Sequence, residues 1–141
     1  MRLPKPDYKK EARAKKRLEK EADRLWHEAG KKKWGEACLF HGSSKQAKQH
    51  QNYTKFGHHF FRKGLYPQLR YDIDNFVNAC WPCHFRLEKV DTTMAGDVIL
   101  ARGKRWYNKL LDKSQVKLKS GFQTKEYYKK TIDKLKKVGG E

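Results

Sequence analysis

Phe56-Gly-His-His-Phe-Phe61 and, downstream of it, Asp74-Asn75 and Cys80-Trp-Pro-Cys-His84 carry the most specific chemistry of this chain. The aromatic run at 56–61 reads as a strand. In a strand, the adjacent imidazoles of His58 and His59 point to opposite faces, so one can bind what the other helps to activate. Arg62 to Arg70, with Gly64 and Pro67, reads as a loop. Tyr71 to Ala79 mixes β-formers with Asp72, Asp74 and Asn75, which predicts a turn leading into a second short strand beside the histidine pair. Pro82 stands two residues after Cys80, where it suits the first turn of a helix. That helix would run to about Val90 and carry His84.

The cysteines extend the pattern. Cys80 and Cys83 form a C-x2-C knuckle, and 42 residues earlier Cys38-Leu-Phe-His41 supplies C-x2-H. Three thiolates and one imidazole make the tetrahedral Cys3His set of a structural zinc site. In so small a domain a metal replaces missing core. Two other readings of the same residues stand beside it. Cys-x-Pro-Cys is also a redox-pair pattern, but no βαβ pattern surrounds it and Cys38 is left over. Three buried free cysteines without metal are the third.

Outward from this centre lie two basic flanks. The 141-residue chain has 34 Lys and Arg against 16 Asp and Glu, a net charge of +18. Residues 1–36 are net +6, 37–100 only +3, and 101–141 are +9. Basic flanks around a less charged, aromatic centre suit a polyanionic partner. The first flank predicts a helix from Pro6 to Ala29, ended by Gly30, in which Leu18, Ala22, Leu25, Trp26 and Ala29 pack. The second predicts helices at about 96–113 and 124–138, the latter with a stripe of Tyr128, Ile132 and Leu135. No run approaches the ~20 apolar residues of a membrane span, and Met1–Tyr8 lacks a secretory signal. An integral membrane protein, a secreted disulfide scaffold and a large two-domain enzyme are disfavoured, and a cytoplasmic setting is expected. Trp81 is expected to pack around the zinc knuckle, and His27 and His50 to lie on the surface. Glu88, one helical turn after His84, could reach a metal there, but reads first as an exposed helix carboxylate.

His58-His59, then Asn75, then Cys80-x-x-Cys83-His84 resembles the ββα-metal (HNH, His-Me finger) nuclease motif in its zinc-containing form. Tyr66-Pro-Gln-Leu-Arg-Tyr71, Asp74-Asn75 and Phe122-Gln-Thr-Lys-Glu-Tyr-Tyr128 extend the likeness to the phage NinG (Rap) family of Holliday-junction endonucleases, over about residues 37–137. His41 in place of a second cysteine, His58 before the catalytic histidine, His84 after the second knuckle, and a basic helix in place of a Cys-rich extension depart from that family.

The resemblance implies an α+β fold. A small zinc-stabilised ββα-metal core at 37–93 would be flanked by a basic helical extension at 1–36 and a basic helical region at 94–141. It also implies a metal-dependent hydrolysis of phosphodiesters in branched DNA. His59 would be the general base. His58 and His84 would hold a catalytic Mg2+ or Mn2+, and Asn75 would either join them or hold the His59 loop. Cys38, His41, Cys80 and Cys83 would hold structural Zn2+, and Arg62, Lys63 and Arg70 would clamp phosphates. The two symmetric cleavage points of a four-way junction imply a homodimer, working in a bacterial host's cytoplasm if the chain is phage-encoded. Two alternatives remain open: a less selective HNH homing or nicking endonuclease, and a non-catalytic zinc module that binds nucleic acid.

Overall fold

The computed structural model describes residues 7–40, 57–89 and 92–139. Helix α1 spans Tyr8–Trp34. Asp7 caps it, its carboxylate accepting from the Lys10 N–H at 3.0 Å. Gly35, at φ +93°, closes it with an N–H bond to the Lys31 carbonyl. The stop expected at Gly30 is thus corrected, because the helix runs straight through that residue. Glycine is required there for a close approach instead. A Cβ on Gly30 would stand 2.2 Å from the Phe76 ring, and one on Gly57 would stand 2.0 Å from the same ring.

Strand β1, His58–His59, pairs antiparallel with β2, Phe76–Val77. Helix α2 follows at Trp81–Glu88, with Cys80 at its N-cap and Pro82 in its first turn. Helices α3 (Thr92–Arg102), α4 (Lys104–Ser114) and α5 (Lys125–Gly139) complete the chain. The single helix expected at 96–113 is two helices, because Gly103 adopts φ +97° between them. Side chains with a Cβ rarely take that conformation. Among the described residues the fold is mixed and mostly helical with one small antiparallel sheet, which agrees with α+β at that level. No helix among the described residues is long and apolar enough to cross a membrane.

Strand β2 separates two cores, and its period-two alternation assigns one residue to each. Phe76 joins Leu25, Trp26, Tyr128 and Ile132, where α1 and α5 pack along one another. Val77 joins Cys38, Cys80, Cys83, Leu87, Val98 and Leu110 on the other side. The turn before β2 is pinned by three indoles on three consecutive carbonyls. Trp26 Nε1 donates to Asp72 O at 2.8 Å, Trp34 Nε1 to Ile73 O at 3.0 Å, and Trp106 Nε1 to Asp74 O at 2.7 Å. Each such bond contributes roughly 1 kcal/mol net. Lys113 and Lys33 hold the carboxylates of Asp72 and Asp74, both at 2.6 Å. Arg102 lies 3.7 Å over the Trp34 ring and donates to Phe76 O and Asn78 Oδ1. Its burial pushes its pKa down to about 10. Everything that leads to Asn75 and β2 is therefore held from several sides.

Candidate active site and metal centre

The register of the two strands sets the two histidines apart. His59 lies opposite Phe76 and His58 opposite Val77, so they share faces with different cores. His59 stacks on Trp26 with ring centroids 3.9 Å apart and planes within 6°. Its Nε2 lies 2.9 Å from the carbonyl oxygen of Arg70. A carbonyl only accepts, so Nε2 carries the hydrogen and Nδ1 of the neutral ring holds a lone pair. Burial pushes the His59 pKa down to about 3, against the Arg70 carbonyl, which favours the charged ring. At neutral pH the imidazole is therefore uncharged.

His58 turns the other way and meets His84 of α2, with ring centroids 5.2 Å apart. Burial, then the neighbouring His84 and Arg62, pushes its pKa down to about 4. His84 Nε2 lies 3.2 Å from Glu88 Oε1 one turn along the helix. His84 Nδ1 is buried without a hydrogen-bond partner. An imidazole nitrogen without a hydrogen-bond partner, beside the His58 ring and a carboxylate, suits a divalent cation. These donors are not yet gathered tightly. Among the described residues, the cysteine cluster is the group whose candidate ligand atoms all lie within 4.8 Å of one another.

Asn75 is fully buried. Its Nδ2 donates to Phe61 O at 3.0 Å and Leu69 O at 3.1 Å, while its Oδ1 accepts from the Phe61 N–H at 2.7 Å. This is the loop-holding geometry, and it corrects the alternative of Asn75 as a metal ligand. A side chain with no exposed surface and an amide engaged by the backbone does not reach a cation in the cleft.

A cleft of about 490 Å3 opens between these elements, rimmed by His27, His58, His59, Arg62, Lys63 and His84, with Glu88 at its edge. One member, His27, was expected on the surface. His27 accepts the Gly57 N–H on Nδ1 at 2.9 Å. Its neutral form therefore presents Nε2–H, and burial lowers its pKa. The sequence offers no signal for this, since its partner lies thirty residues away and is a backbone group. Glu88 does follow His84 at helical i, i+4 spacing, a signal that was legible.

Arg62 and Lys63 line the cleft as expected. Arg70 does not, and its expected role as a phosphate clamp is corrected. Its guanidinium is engaged by Asp23 at 2.8 and 3.1 Å and by Glu19 at 3.1 Å, both from α1. The contribution of Arg70 to the site is its backbone carbonyl. Trp81, expected to pack around the knuckle, leaves 59% of its surface exposed.

Cys38, Cys80 and Cys83, none of them in a disulfide, form a buried cluster that could hold a metal such as zinc. The Leu39 N–H bonds the Asn78 carbonyl at 2.7 Å, which keeps the Cys38 segment beside the chain leading to Cys80. Burial pushes the Cys80 and Cys83 thiols up, so a neighbouring divalent charge is what would make them thiolates. The expected fourth ligand, His41, lies outside the described residues, as does His50. No protein-family model, no curated protein and no solved structure matches this chain.

Proposed function

We propose that the chain is a metal-dependent endonuclease of the ββα-metal (HNH) type, related to the phage NinG recombination family and acting on branched DNA. The observation that carries this reading is the cleft itself. Strand, strand and helix bring His58, His59 and His84 to one opening with Arg62 and Lys63 on its rim, while Asn75 ties down the intervening loop.

In this reading, His59 Nδ1 takes the proton of the attacking water, and the Nε2–H bond to Arg70 O steadies the imidazolium that forms. Trp26, stacked on the ring, fixes its orientation. His58 and His84, with Glu88 as an oxygen donor, would hold the divalent cation, and Mg2+ or Mn2+ bound there would supply Lewis-acid stabilisation of the phosphate and the leaving oxygen. Arg62 and Lys63 bind the flanking phosphates. The cysteine cluster, with structural zinc bound, would anchor the N-terminus of α2 and so set the position of His84. The basic faces of α1 and α5 hold DNA arms through phosphate contacts, and two copies serve the two strands of a junction.

The test is cleavage of a labelled four-way junction and of a linear duplex of matching sequence, with Mg2+, Mn2+ or EDTA. The wild-type protein should make metal-dependent paired nicks in the junction, and His59→Ala should lower the rate by about 10²–10⁴-fold with binding retained. Tight binding with no cutting in any metal would leave a zinc-stabilised nucleic-acid clamp. Equal cutting of both DNAs would keep the nuclease and discard junction selectivity.

A further inference from the structure

Three of the four tryptophans are held inside, their indole N–H groups on consecutive carbonyls of the turn before β2. Trp81 is different. It opens α2 with 59% of its surface exposed, and Phe85, one turn further on, is 46% exposed. The same short helix buries Cys83 and Leu87 on its other side. Two large aromatics at i, i+4 thus form a ridge on the solvent face of the helix that carries His84 into the cleft. The Trp81 ring centroid lies 6.1 Å from that of His84.

The surroundings of the ridge identify its occupant. The Lys89 ammonium lies 4.3 Å from the Phe85 ring centroid, and Arg86 between the two aromatics is exposed. An apolar protein surface gains nothing from such a cationic border in a chain of net charge +18. A polyanion whose units also offer flat aromatic faces matches both the charge and the shape.

We propose that Trp81 and Phe85 form a stacking platform for unpaired nucleobases of a DNA strand lying beside the cleft. Paired bases within a duplex hide their faces in the stack, so only strands opened at a branch or run single offer them. The platform rests on the nucleic-acid reading above, and it supplies a source of preference for opened DNA that needs no base-edge contact. It does not depend on catalysis.

Trp81 is the exposed tryptophan of the described set, so its fluorescence reports the contact directly. The zinc-loaded full chain would be titrated, without Mg2+ or Mn2+, with an oligothymidylate single strand and with a mixed-sequence duplex of equal length. Single strand should quench the emission and duplex should leave it nearly unchanged. Trp81→Phe should remove the quench while keeping single-strand affinity within about threefold, since phenylalanine also stacks. The double variant Trp81→Ala, Phe85→Ala should weaken single-strand binding about tenfold or more, and duplex binding less than twofold. Circular dichroism and zinc content checked alongside separate lost contact from lost fold.

Equal loss for both DNAs, or no quench at saturation, would overturn the platform. So would a change of oligomeric state in the double variant without a change in single-strand affinity, which would make the ridge a contact between copies. Binding with quench but no junction cleavage would keep the platform and remove the nuclease reading. Cleavage with unaltered single-strand affinity in the double variant would do the reverse.

Discussion

His58 and His59 are neighbours in the chain, yet they belong to two differently built regions. On the His59 side the ring is held on its face and at one nitrogen. The ring is stacked on Trp26, its Nε2 is on the Arg70 carbonyl, and the Arg70 guanidinium is locked by Asp23 and Glu19. On the His58 side the contacts are looser: two imidazoles meet edge to face, Glu88 touches one of them, and His84 Nδ1 has no partner. One strand turn therefore separates a fixed group from an adjustable pair. A general base needs its orientation set in advance, whereas cation ligands close on the ion they bind.

The largest way to break this comparison is to remove the metal expected at the cysteine cluster. Structural zinc contributes on the order of 10 kcal/mol in isolated zinc peptides. Strong chelation should abolish amide-exchange protection in α2 and the strand pair, while the α1–α5 pair, built on Leu25, Ile132 and Leu135, stays protected. Metal analysis should find one zinc per chain before treatment. Unchanged exchange in α2 after chelation, or no zinc in the purified protein, would make the cluster a buried thiol core.

A smaller effect probes the fixed side. Gly30→Ala adds helix propensity worth about 1 kcal/mol in an ordinary helix interior. Here the new methyl meets the Phe76 ring, with Cβ at 2.2 Å. The clash should win and lower stability by about 3 kcal/mol or more, read from chemical denaturation. A stabilised Gly30→Ala protein would show that α1 and β2 do not approach so closely.

The comparison also explains what the sequence made legible. Opposite faces for His58 and His59 follow from the period of a strand alone. The Cys80–Cys83 knuckle, Pro82 and the position of His84 follow from local spacing, as does the Tyr128, Ile132, Leu135 stripe. Three of the misreadings share one cause, a partner distant in sequence, whereas the single helix expected at 96–113 is broken locally by Gly103. Gly30 looks like a helix stop until Phe76, 46 residues later, comes to rest on it. Arg70 looks like a phosphate clamp until α1 supplies its carboxylates. His27 looks like a surface residue until Gly57 donates to it. Trp81 failed for the opposite reason. Knuckle spacing does not say which face of an eight-residue helix turns to solvent.

Parallel measurement of Mn2+ binding and junction cleavage separates the role of His59 from that of the His58–His84 pair. His59→Gln should bind Mn2+ as the wild type does, within about twofold, and lose cleavage by at least about 10²-fold. His84→Ala should lose about 10-fold or more in Mn2+ affinity, and cleavage with it. A His59→Gln protein that still cuts, or a His84→Ala protein that binds Mn2+ and cuts normally, would contradict the account.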